Sequence, residues 1–263
     1  MMTRAFRPAA SMLAAAVLSA AAPVGATGPA PLQAAIERFK PFVSAGIARS
    51  LAAARTMREQ IAGHDLAGAQ RAWIAARSGW EQAEIVSDVF FPDLDDAIDA
   101  WPDGKQGFHA IEARLFGAHK TDALAETDAL IARLQEFEAT LQSTTLTPQG
   151  LLDGTAKLAY EIGENKADGG ESQFSGTSLG DIRANLAGIA EVWRTVFGPV
   201  LQARDPKRAA AIADSLAALG KLAGAADLKS LDETALRRRS EDLALAFQDA
   251  APALALDPPN LGN

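Results

Sequence analysis

The sequence predicts an all-α protein built from up-down helical bundles. Three observations carry that prediction. Apolar residues recur at steps of three and four along most of the chain, the spacing of one helix face. Aromatic residues make up 6% of the chain against 48% hydrophobic, with alanine throughout, a composition that packs helices more readily than sheets. No stretch alternates apolar and polar residues as a half-buried strand does. A length of 263 residues suits one large helical domain or two small bundles.

The first element reads as an export signal. Arg4 and Arg7 precede an apolar run from Met12 to Ala22, too short for a comfortable membrane span, and Val24-Gly25-Ala26 offers a small-residue cleavage site. Residues 1–26 are therefore assigned as a cleaved signal peptide and 27–263 as the helical domain, with a periplasmic location and no membrane span in the mature chain. No cysteine follows the apolar run, so a lipoprotein anchor is not expected.

Leu32, Ile36, Phe39, Val43, Ile47, Leu51, Ala54, Met57 and Ile61 define one long amphipathic helix, with a kink expected near Pro41. Gly63-His64-Asp65 breaks it. A second helix is expected from about Leu66 to Val86, with Trp73, Ala76, Trp80 and Ala83 on one face. Residues 90–106 hold Pro92, Pro102 and Gly104 and read as an irregular, acidic crossing segment. A third helix follows from about Gly107 to Phe116, and a fourth from about Asp122 to Leu141 with Leu124, Ile131, Leu134 and Leu141 facing inward.

Thr147-Pro148 reads as an N-cap followed by proline at the first helical position, opening a helix with Leu151, Leu152, Leu158 and Ile162. The Gly- and Ser-rich stretch 165–178 reads as a loop with Phe174 as its apolar anchor. Ser178 then caps a helix bearing Leu179, Ile182, Leu186, Ile189, Trp193 and Val196, ended by Gly198-Pro199. Asp205-Pro206 opens another, with Ile212, Leu216 and Leu219 on its buried side. Ser230-Leu231-Asp232-Glu233 reads as a capping box for the last long helix, which holds Leu236, Leu243 and Phe247, and the tail from Pro252 is expected to be loose. The helices divide into two four-helix-bundle-like halves, about 30–142 and 147–250.

The formal net charge of −8 repels phosphate backbones, so nucleic acid is not an expected partner. With no cysteine, disulfides, thiol catalysis and thiolate metal ligation are excluded, and any metal site must use carboxylates, imidazole, carbonyls or water. His109 and Glu112, three apart on a predicted helix, leave the same face and can share a cation, although such a pair is also an ordinary hydrogen-bonded couple. Glu81 lies one turn after Arg77, which offers it an intrahelical ion pair. Glu84 falls on the stripe of Trp73, Arg77 and Trp80, where a carboxylate needs a partner or a cation. Asp88, Asp93, Asp95, Asp96 and Asp103 read as a mostly solvated run; Asp99, between Ile98 and Trp101, is expected to dock on the bundle. Glu171 lies in the polar loop, and Asp181 and Asn185 follow it at an i, i+4 spacing that suits capping and surface hydrogen bonds. His64 and His119 are expected in solvent.

Together these residues resemble the imelysin-like family, named as a peptidase group. Gly107-Phe108-His109-Ala110-Ile111-Glu112 is similar to its defining His-x-x-Glu motif. Arg77 through Glu84 with the later Asp95–Asp99 segment is similar to its aromatic-Glu-x-x-Glu and Leu-Asp-x-x-Ile-Asp pattern. Lys166 to Asn185 is similar to its Lys-x-x-Gly-Glu-Glu, Ser and Asp-x-x-Ala-Asn pattern, with Gly170-Glu171 where the family often has two acids. The resemblance covers roughly residues 30–250 and implies bundle-like halves with a metal site near the His-x-x-Glu helix. By position it implies His109, Glu112, Glu81, Glu84, Asp99 and Glu171 as ligands. It also implies a short EfeO-like iron-uptake component without a cupredoxin domain.

The leading expectation is a periplasmic metal-binding protein, not an enzyme, that captures iron and hands it to a membrane permease or periplasmic partner; zinc, copper or calcium also suit such ligands. One alternative is a metal-dependent peptidase, disfavoured because one His-x-x-Glu supplies at most two of the three protein ligands a zinc protease needs. The other is a protein binding acidic polysaccharide through a bridging cation.

Overall fold

A computed structural model describes residues 30–100 and 105–261. The expected signal peptide and Trp101 to Gly104 lie outside them. Among the described residues there is no strand, and no helix is long and apolar enough to cross a membrane.

Helix α1 (Ala30–Ala62) buries all nine apolar residues of its predicted stripe and continues through Pro41. After a turn in which His64 takes φ +59°, Asp65 caps α2 (Leu66–Glu81) by accepting from the Gly68 amide at 2.8 Å. The two helices pack very closely. A Cβ on Gly79 would lie 2.8 Å from the Gly46 carbonyl oxygen and 2.7 Å from the Ser50 nitrogen, so glycine is required there. Helix α6 (Leu124–Ser143) also packs on α1. Its Leu134 and Leu141 are buried, but Leu124 sits in the exposed first turn, contrary to the sequence expectation.

The predicted second helix ends earlier than its pattern suggests. At Gln82-Ala83 the chain turns and restarts as α3 (Glu84–Phe90), and Phe91-Pro92 then opens α4 (Pro92–Asp99). The acidic crossing segment is therefore helical over much of its length, with proline at a first-turn position where its missing N–H costs nothing. Helix α5 (Gly107–Glu112) starts at a glycine with φ +64°, and a Cβ there would lie 2.0 Å from the Ile98 carbonyl oxygen. That close approach brings the end of α4, with Asp99, against the start of α5, with His109. A π-helical turn, Ala113–Gly117, continues α5.

Thr147 caps α7 (Pro148–Glu161) as expected, and a second π turn, Ile162–Lys166, carries the chain to the polar loop. Helix α8 (Ser178–Val192) has Thr177, not Ser178, at its N-cap position. Gly198-Pro199 does not end the helical path; a π turn, Trp193–Phe197, leads into α9 (Gly198–Arg204), whose first turn accommodates the proline. Helix α10 is Pro206–Leu222 and α11 is Glu233–Leu254. Asp232 alone caps α11. Ser230 pairs instead with Asp227 across a 3-10 turn, so the expected capping box belongs to that turn. The tail is tied down in part: the Asp257 amide donates to Gln149 at 2.9 Å. Helix α7 packs on α3 and α11, and α8 on α2, around one continuous apolar cluster.

Candidate metal centre

The polar centre of the molecule is organised by two buried cations. Arg77 is 1% exposed, on the α2 stripe between Trp73 and Trp80. Its guanidinium lies 2.7 Å from Glu81, 2.8 Å from Glu171 and 3.4 Å from Asp181, and also pairs with Asp99. Lys166, 2% exposed, arrives from the π turn after α7. Its Nζ is 2.6 Å from Glu81, 3.1 Å from Glu84 and 3.3 Å from Glu171. The Asn185 amide donates to the side chains of Glu81 at 2.8 Å and Glu84 at 2.7 Å.

Asp99, His109 and Glu171 converge, with one ligand atom from each within 4.8 Å of the others. His109 Nε2 is 3.1 Å from Asp99 Oδ1. The other Asp99 oxygen accepts from the Trp80 indole at 2.8 Å. His109 Nδ1 faces Glu112 Oε2 at 3.5 Å, and Glu112 Oε1 accepts from the Ser175 amide at 2.9 Å, the Ser175 hydroxyl at 2.6 Å and the Phe174 amide at 3.3 Å. Of the six candidates, three thus share one point. Glu81 and Glu84 are engaged by Lys166 and Asn185, and Glu112 by the loop. All lie at the centre of the fold.

The charges hold one another in place. Burial works against ionised Asp99, but Arg77 and the hydrogen bond from His109 keep it far below the usual carboxylate range. Burial and Arg77 push the His109 imidazole down, yet its hydrogen bonds to Asp99 and Glu112 outweigh them and raise it to about 9. Glu84 moves the other way, raised well above the normal value by burial and by neighbouring Glu81. Burial, then Glu81, also lifts Asp181 to about 7. Like charges crowded in a low-dielectric site cannot all ionise.

An acidic cavity of about 160 Å³ adjoins this point. Glu84, Asp88, Asp95, Asp96, Asp99, Glu161 and Glu171 line it together with Lys157 and Lys166. Asp88, Asp95 and Asp96 therefore face a cavity instead of only forming a solvated run, and burial raises Asp95 to about 7. Asp93 is exposed.

The residues that sequence reasoning placed elsewhere share a cause. Asp181 and Asn185 are buried in the centre, not at the surface. Asn185 lies three residues from Ile182 and four from Ile189 on one inward stripe, and that spacing was the available signal. Nothing in the periodicity marks Lys166. Phe174 is a surface anchor and not a core one: the residue is 51% exposed, with its ring against Gly117, while its amide donates to Glu112. Thr177 makes no cap bond because its hydroxyl turns to Ser172, Ser175 and Asp181. His64 and His119 are exposed, as expected.

With this geometry in view, comparison with known proteins gives three findings. The family model described as Imelysin, which carries a peptidase name, matches residues 35–254. Proteins named Efem/EfeO family lipoprotein from Staphylococcus aureus strains MRSA252 and N315 are each 32% identical over 158 residues, which is 56% of this chain and 55% of theirs. The match thus spans about half the length of those relatives. A crystal structure of an iron-regulated protein A precursor from Parabacteroides distasonis aligns with TM-score 0.63, covering 86% of this chain and 95% of that one. At 14% identity it shares the fold.

Proposed function

Because the chain belongs to the imelysin family, we propose that it is an exported cation-binding protein that captures iron for an uptake system. The observation that carries this reading is the convergence of Asp99, His109 and Glu171, two of which, Asp99 and Glu171, also line an acidic cavity. Two carboxylates and one imidazole suit ferrous or ferric ion, and zinc or copper would compete for the same donors. The cavity carboxylates attract and partly dehydrate an approaching cation, and Lys157 and Lys166 keep their repulsion bearable. The names of the staphylococcal relatives and of the Parabacteroides protein support export and an iron connection.

The family's peptidase name supports a second reading. Three donor side chains, not two, converge here, so ligand count no longer argues against a hydrolytic metal. Size does. A cavity of about 160 Å³ admits a hydrated ion, whereas pockets that enclose organic ligands run to about 300–1,000 Å³. We therefore place capture ahead of catalysis.

The test is a calorimetric titration of the chain with ferrous ion under anaerobic conditions, beside His109→Ala and Asp99→Asn. Binding at one equivalent, weakened about 100-fold or more in each variant, is the expected result. Equal affinity in all three proteins contradicts the reading.

A further inference from the structure

We propose that Ser175 orients His109 through Glu112, which makes Glu112 a positioning residue and not a ligand. The inference rests on the reading that a cation binds at Asp99, His109 and Glu171.

One oxygen of Glu112 is already saturated. Oε1 takes two donors from Ser175 and a third from the Phe174 amide, while a carboxylate oxygen offers about two lone pairs. Ligating through Oε1 would strip those donors from their acceptor in a largely buried place, at a cost of about 1–3 kcal/mol for each donor left unpaired. The other oxygen, Oε2, faces His109 Nδ1. The imidazole's two nitrogens are thereby assigned: Nδ1–H to Glu112, and Nε2 toward Asp99 and the cation. A carboxylate on the far nitrogen of a ligating histidine fixes its tautomer and ring plane. At 3.5 Å that contact is at the long end of hydrogen-bond range.

Ser175 is set for the task by its neighbours. Its hydroxyl lies 3.0 Å from the Thr177 hydroxyl, which lies 3.2 Å from that of Ser172, and Ser172 donates to Asp181 at 3.0 Å. Asp181 faces Arg77. Glu171 stands four residues before Ser175 on the same loop, so one loop supplies a ligand and aims another.

The experiment loads the purified chain with cupric ion, read by calorimetry and by electron paramagnetic resonance. The His109→Ala variant gives the background from His64 and His119. Ser175→Ala is expected to weaken cupric binding by about 10–100-fold and to broaden the nitrogen-coupled signal, and Ser175→Thr to restore both. Glu112→Gln is expected to weaken binding to a similar degree while keeping the nitrogen coupling. Ser175 is half-buried in a loop, and unchanged melting curves verify that its variants fold. The proposal is overturned if Ser175→Ala matches the parent in both readouts, or if Glu112→Gln abolishes binding as fully as His109→Ala. Parent binding no tighter than the His109→Ala background overturns the cation reading itself, and this inference with it.

Discussion

At the scale of single residues, the centre is a charge lattice in which Arg77 and Lys166 stand among Glu81, Glu84, Asp99, Glu171 and Asp181. Removing one partner of a buried pair leaves an uncompensated charge and costs about 3–5 kcal/mol. Lys166→Met should therefore lower the melting temperature of the cation-free chain by about 10 °C; a drop of only a degree or two would show that the carboxylates neutralise themselves. His109 supplies a pH dependence of definite sign. Its folded value, about 9, lies above the ordinary 6.5, so the stability it contributes is fully present below about pH 6.5 and is lost as pH rises through about 9. That contribution is on the order of 3 kcal/mol. Melting of the cation-free chain at pH 6 and pH 9.5 should show a loss that is much smaller in His109→Gln. An equal loss in both proteins would place the titration elsewhere. Asp99, His109, Glu171 and Arg77 were legible in the sequence because charged groups stood beside or within apolar stripes or in a matched motif. The pairing of Arg77 with Glu81, one turn on, was legible too, but its pairing with Asp99, Glu171 and Asp181 from three other segments was not, because one-dimensional spacing reports only which residues share a helix face.

At the scale of elements, the site depends on where helices stop. Glu81 and Glu84 reach Lys166 from either side of the break at Gln82-Ala83, and the Gly107 contact with Ile98 brings Asp99 to His109. Gly107→Ala places a Cβ against the Ile98 carbonyl in a backbone conformation that non-glycine residues seldom adopt. The two effects together should destabilise the chain by about 2–4 kcal/mol and weaken cation binding by parting Asp99 from His109. Chemical denaturation and the ferrous titration check each part, and an alanine variant of parental stability would remove Gly107 from this role. The long stripes of α1 and α11 were readable because many periodic positions agree. The break at Gln82-Ala83 was not, since alanine and glutamine are good helix formers and tertiary packing overrides them. The helical path through Gly198-Pro199 was misread for a related reason: proline stops a helix from within but is welcome in the first turn of the next.

At the scale of the whole molecule, the fold buries a hydrophilic centre inside an alanine-rich helical shell. The net charge of −8 biases encounters toward cations, and the acidic cavity gives that bias a direction. The all-α class was legible from composition and periodicity alone. The meeting of the 167–177 loop with α4 and α5 was not, because it depends on contacts between residues more than sixty positions apart, such as Glu112 with Ser175. The measurement that tests the account most directly is an anomalous difference map from crystals of the chain grown with iron. The account expects one strong peak about 2.0–2.3 Å from His109 Nε2 and from carboxylate oxygens of Asp99 and Glu171, with Glu112 still held by Ser175. Iron bound elsewhere, with none between those three side chains, would contradict it.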